Sequence, residues 1–65
     1  LVELTERERD VLRLLAEGRD YDDIGEQLTI SPETVRVHVR KAMGRLSANS
    51  RTQAVAEAIR QSLLG

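Results

Sequence analysis

The stretch DYDDIGEQLTISPETVRVHVRKAMGRL, Asp20 to Leu46, decides the fold. Asp20 precedes Asp23 by three residues, and Ser31 is followed directly by Pro32. Each pair marks a helix start, because a short polar side chain can accept from the unpaired N–H groups of the first turn, and proline suits the first helical position. Two helices, Tyr21–Leu28 and Pro32–Leu46, are therefore predicted with only Thr29, Ile30 and the cap Ser31 between them. Helices joined by so short a turn cross steeply, as a helix-turn-helix. Ile24, Leu28, Ile30 and Val35 supply the apolar contacts of such a crossing. Gly25 costs its helix about 1 kcal/mol relative to Ala, and we assign that cost to close approach at the crossing.

The same capping logic works outward in both directions. Thr5 with Glu8 forms a capping box ahead of Val11, Leu12, Leu15 and Ala16, and Gly18 stops the helix, so a first helix is predicted from Glu6 to Glu17. Ser50 with Gln53 forms another box and opens a fourth helix to about Leu64. No stretch shows strand alternation, so the expected fold is all-α: one four-helix, bundle-like helix-turn-helix domain over residues 1–65. With 65 residues there is room for a single thin core.

Composition removes most chemistry. There is no cysteine and one histidine, which excludes a zinc site, a redox pair and a Cys nucleophile. His38 reads as a packed, hydrogen-bonded residue beside the core, and Glu8 as a cap rather than an acid catalyst. No catalytic residue, metal or cofactor is expected. No apolar run approaches the roughly 20 residues of a membrane span, and the expected location is cytoplasmic. Leu1 is not an initiator Met, so a longer chain is expected.

Net charge is −1, yet its halves differ. From Leu1 to Ile30 four arginines face nine acids, a net of −5; from Ser31 to Gly65 six bases face two acids, a net of +4. Thr34 to Ser50 holds no acid at all. In helix three Val35, Val39, Ala42 and Leu46 form one stripe, and Glu33, Val37, Arg40 and Gly44 lie opposite, flanked by Arg36 and Lys41. A basic exposed face behind a tight turn points to double-stranded DNA, with helix three in the major groove. Arg40 is the candidate for bidentate contact with guanine, and Val37 for a thymine methyl. Arg36, Lys41, Arg45, Thr34 and the helix start at Ser31 suit phosphates, and Arg51 either reaches a phosphate or stays inside the domain. The plainer alternative is a set of ordinary solvated charges. Tyr21 is the only aromatic residue, which argues against stacking on unpaired bases.

Helix four carries two stripes. Ala54, Val55, Ala58 and Ser62 suit the core, whereas Thr52, Ala56, Ile59 and Leu63 are left over as a candidate homodimer interface that would read two half-sites about one DNA turn apart.

These residues resemble the LuxR-type (GerE- or FixJ-type) DNA-binding domain of bacterial transcription regulators. The resemblance runs from Leu4 to about Ala58 and rests on Leu4-Thr5-Glu6-Arg7-Glu8, Val11 to Gly18, Ile24, Leu28 to Ser31, Thr34 to Val39, Arg45-Leu46 and Ser50 to Val55. It implies a recognition helix from Pro32 to Leu46, base or backbone contacts at Arg36, Val37 and Arg40, and dimerisation through helix four. It also implies a place C-terminal to a receiver, ligand-binding or other sensor domain, as in response regulators, with RNA polymerase a further candidate partner. Three places depart from the family pattern. Tyr21-Asp22 replaces a small polar residue and a lysine, which is expected to cost a phosphate contact. Ala42 and Gly44 replace larger residues, which is expected to thin the core and loosen helix three. Ser47-Ala48 replaces Gly-Val.

Asp20 to Ile24 also resembles region 4 of bacterial sigma factors, although a capped fourth helix at Ser50-Arg51-Thr52 has little place there. A dimerisation module without DNA binding is the third alternative.

Overall fold

The computed structural model describes residues 2–65. The chain forms α1 (Glu6–Ala16), α2 (Tyr21–Leu28), α3 (Pro32–Leu46) and α4 (Arg51–Arg60), with no strand among the described residues. All four helices start at the expected caps. Thr5 Oγ1 accepts from the Glu8 N–H at 3.1 Å while Glu8 Oε1 accepts from the Thr5 N–H at 3.1 Å. Asp20, Ser31 and Ser50 accept from the N–H groups of Asp23, Thr34 and Gln53. The box expected at Ser50 is only half made, because the Gln53 side chain reaches past the cap to the Asn49 N–H at 2.6 Å.

The helix ends share one device. Arg19, Ile30, Ala48 and Leu63 donate their N–H groups to the carbonyls of Leu14, Gly25, Met43 and Ala58, five residues back. The residue before each donor is left-handed: Gly18 (φ +90°), Thr29 (+60°), Ser47 (+54°) and Ser62 (+58°). These are Schellman motifs, and three of the four use a non-glycine residue in a conformation that costs L-residues about 1–2 kcal/mol. The device corrects two expected boundaries. Helix one stops at Ala16, with Glu17 as its cap. Helix four stops at Arg60 rather than near Leu64, because the Ser62 turn throws the chain back.

Packing is organised around α3. Its stripe Val35, Val39, Ala42 and Leu46 is buried from end to end, as expected. Val35 and Val39 join Val11, Leu14 and Ile24 in one cluster; Ala42 and Leu46 join Leu4, Leu12, Ala54 and Ala58 in the other. One 15-residue helix thus docks α2 at one end and α4 at the other, with α1 across both. Leu14 is buried and Ala16 exposed, the reverse of the expected choice, because α1 faces three helices and its apolar face is broad. Gly44 is exposed with open space around it, so it weakens α3 only through helix propensity and does not thin the core.

Two polar or close contacts hold this arrangement. A Cβ on Gly25 would lie 2.6 Å from the Ile30 carbonyl oxygen and 3.3 Å from the Pro32 nitrogen, so the turn backbone sits directly on this residue. Glu8 is the buried charged side chain, 1% exposed, and its Oε1 also meets Arg45 Nε at 2.9 Å. The start of α1 is thereby pinned to the last turn of α3.

Gly25→Ala is expected to lower stability by about 1–3 kcal/mol through overpacking. Arg45→Met should cost about 1–2 kcal/mol, the loss of one charge-assisted bond to a buried carboxylate discounted for the half-exposed arginine. Ser47→Gly should stabilise by about 0.5–1 kcal/mol, the relief of left-handed strain less the extra entropy of the unfolded glycine chain. Urea or thermal unfolding of the three variants checks all three signs.

Candidate nucleic-acid interface

With one stripe of α3 buried, its other face is presented by default. Glu33, Arg36, Val37, Arg40, Lys41 and Gly44 are all exposed. Val37, at 42%, and Ile59, at 58%, are the exposed large hydrophobic residues among the described ones, and each lies on a surface expected to bind a partner.

Ion pairing separates structural cations from available ones. Arg7 and Arg13 pair with Asp10, Arg19 with Glu17, Arg60 with Glu57, and Arg45 with Glu8. Arg36 Nε lies 3.5 Å from Glu33 Oε1, one helical turn away. Among the described residues this leaves Arg9, Arg40, Lys41 and Arg51 without an acidic partner. Three of these four lie on the outer face of α3 or at the start of α4, where an anion would find uncompensated charge.

The expected site residues fall into groups. Val37, Arg40 and Lys41 lie on the outer face of α3. Ser31 and Thr34 mark its N-terminal turn, where their hydroxyls lie 2.9 Å apart. Arg45, expected at a phosphate, is engaged by Glu8. Arg51 is exposed at the start of α4, and its guanidinium lies over the Tyr21 ring, 5.0 Å from the centroid; that of Arg36 lies over the same ring at 5.8 Å. This shared ring was missed in the sequence, because nothing in local spacing brings Tyr21 near Arg51. His38 is half-buried and takes part in none of the side-chain hydrogen bonds among the described residues, against the expected hydrogen-bonded role; no buried side-chain polar atom there lacks a partner, so its ring nitrogens reach solvent.

On α4, Thr52, Ala56 and Ile59 are exposed. Leu63, expected to complete that stripe, lies outside the helix and packs against the core beside Leu4 and Ala58. Arg13 Nε donates to the Leu64 carbonyl at 3.2 Å and ties this tail to α1.

No group of residues capable of holding a metal ion occurs among the described residues, and no helix there is long and apolar enough to cross a membrane.

Comparison with known proteins agrees with this geometry. The profile described as "Bacterial regulatory proteins, luxR family" matches residues 2–58. The spore germination protein GerE of Bacillus subtilis (strain 168) is 43% identical over 61 residues, which cover 94% of this chain and 82% of that protein. The transcriptional regulatory protein LiaR of the same organism is 41% identical, and the probable transcriptional regulatory protein NarL of Mycobacterium tuberculosis 43%, each over 94% of this chain. The chain spans only 29% and 28% of the lengths of these two relatives. A solved structure titled "Structure of Transcription factor, GerE" superposes with a TM-score of 0.87 at 39% identity, over 91% of this chain and 88% of that one. The family match also decides against the sigma-factor alternative. The chain belongs to the luxR family of bacterial regulatory proteins and is a helix-turn-helix DNA-binding domain of that family.

Proposed function

We propose that this domain binds a specific duplex sequence through the outer face of α3, as the output module of a longer cytoplasmic transcription regulator. The observation that carries this reading is the coincidence, on one helix face, of exposed Val37 with Arg40 and Lys41, two cations that have no acidic partner among the described residues. Arg40 takes the base-reading role, since a guanidinium matches the paired acceptors of guanine in the major groove. Val37 packs on a thymine methyl. Lys41, Arg36, Arg51 and the Ser31–Thr34 turn meet phosphates, which fix register without reading sequence. Arg45, half-exposed with its Nε against Glu8, joins this set. The function is binding, without catalysis or a cofactor.

The domain acts as a homodimer through Thr52, Ala56 and Ile59, an exposed face of α4 that the monomer leaves uncovered. Two copies related by a twofold axis double the phosphate contacts of a chain whose net charge is −1. The small share of LiaR and NarL that the chain spans supports a regulatory domain elsewhere in the full protein.

Duplex affinity is expected to fall with salt at a log–log slope of about −0.9 for each phosphate neutralised. Absence of binding at low salt, or binding indifferent to salt, contradicts the DNA reading. Arg40→Ala should cost about 1–3 kcal/mol on a selected site and little on random duplex, whereas Lys41→Ala should weaken both alike. Sedimentation on a two-half-site duplex should show two copies for the parent domain and one for Ile59→Glu, with unchanged circular dichroism.

A further inference from the structure

Tyr21 stands at the first helical position of α2, half-buried, and is the chain's sole aromatic residue. The guanidinium of Arg36 lies 5.8 Å from its ring centroid and that of Arg51 lies 5.0 Å from it. The three residues come from three different helices, and α2 and α4 do not otherwise pack on each other. Arg51 has an unfavourable location on its own account. It opens α4, whose first turn holds no acid, so its charge adds to the positive end of the helix dipole. The negative face of an aromatic ring is what compensates a cation in such a place. Arg36 is held twice, by the ring and by Glu33 at 3.5 Å.

We infer that Tyr21 is a positioning residue for DNA binding: its ring holds the Arg36 and Arg51 guanidiniums together as one preset phosphate clasp across α2, α3 and α4. The inference rests on the DNA-binding reading and deepens it. An arginine free in solvent loses much rotamer freedom when it takes a phosphate, and holding two of them beforehand removes part of that cost. The clasp also has a local task. Asp22, next in the chain, is exposed and has no cationic partner among the described residues, so it repels a nearby phosphate. Two arginines gathered on the neighbouring ring offset that charge.

Three forms of the domain test this: the parent, Tyr21→Phe, which keeps the ring, and Tyr21→Leu, which keeps apolar volume without it. In the free protein, the arginine side-chain N–H resonances of Arg36 and Arg51 should show ring-current shifts in the parent and in Tyr21→Phe, and lose them in Tyr21→Leu. On a selected duplex Tyr21→Phe should bind like the parent and Tyr21→Leu about 5- to 30-fold more weakly, the effect of freeing two long side chains. Thermal melting identifies any loss of fold; the resonance shifts of the parent and of Tyr21→Phe decide the inference even if Tyr21→Leu unfolds. Absence of ring-current shifts in the parent, or equal or tighter binding by a folded Tyr21→Leu, overturns the clasp. Failure of the parent to bind duplex at low salt instead overturns the underlying DNA reading.

Discussion

Everything outward-facing in this domain depends on how closely the turn at Ile30 can sit on α2. The Ile30 N–H closes onto the Gly25 carbonyl at 2.9 Å, and the Ile30 carbonyl oxygen occupies the space where a Cβ at Gly25 would stand. That contact sets the angle at which α3 leaves α2. Once it is set, Val35 and Val39 reach the cluster shared with α2, and Ala42 and Leu46 reach the cluster shared with α4. A helix buried along one stripe for its whole length has no choice about its opposite stripe. Arg40, Lys41 and Val37 are presented because the other side of the helix is committed to the core.

Electrostatics follows the same division of labour. Four of the nine acids of the N-terminal half serve as caps or ion-pair partners: Glu8 holds Arg45, Asp10 holds Arg7 and Arg13, Glu17 holds Arg19, and Asp20 caps α2. Of the four cations left over among the described residues, three collect on the outer face of α3 and at the start of α4. A net charge near zero therefore coexists with a locally basic surface, because charge that is already paired contributes little at a distance in salt. Tyr21 adds a second kind of compensation, holding charge in place without neutralising it, since an aromatic face attracts a guanidinium yet leaves its N–H donors free.

How much of this was legible beforehand depends on the range of the interaction concerned. The four helix starts were readable because caps act over three residues, and the buried stripe of α3 was readable because periodicity is local. The family resemblance, carried by ordered motifs from Leu4 to Val55, agreed with the family match. The end of α4 was misjudged because Ser62 adopts a left-handed turn that sequence usually signals with glycine, and with it went the helical position of Leu63. The Glu8–Arg45 pair and the shared ring of Tyr21 were invisible for a different reason. Each joins residues far apart in the chain, and no spacing rule links them. Arg45 shows the consequence: exposure of a cation is readable from helical phase, but the acid that the fold brings beside it, here Glu8, is not.

In the proposed complex the outer face of α3 enters the major groove and reads guanine there. Methylation interference on a duplex selected from random sequence tests it most directly, because dimethyl sulfate modifies guanine at N7 in the major groove and adenine at N3 in the minor groove. Methylation at one or more guanine N7 positions in each half-site should block binding, and Arg40→Ala should remove the penalty at one of them. Interference confined to adenine N3, or guanine interference unchanged by Arg40→Ala, would contradict it.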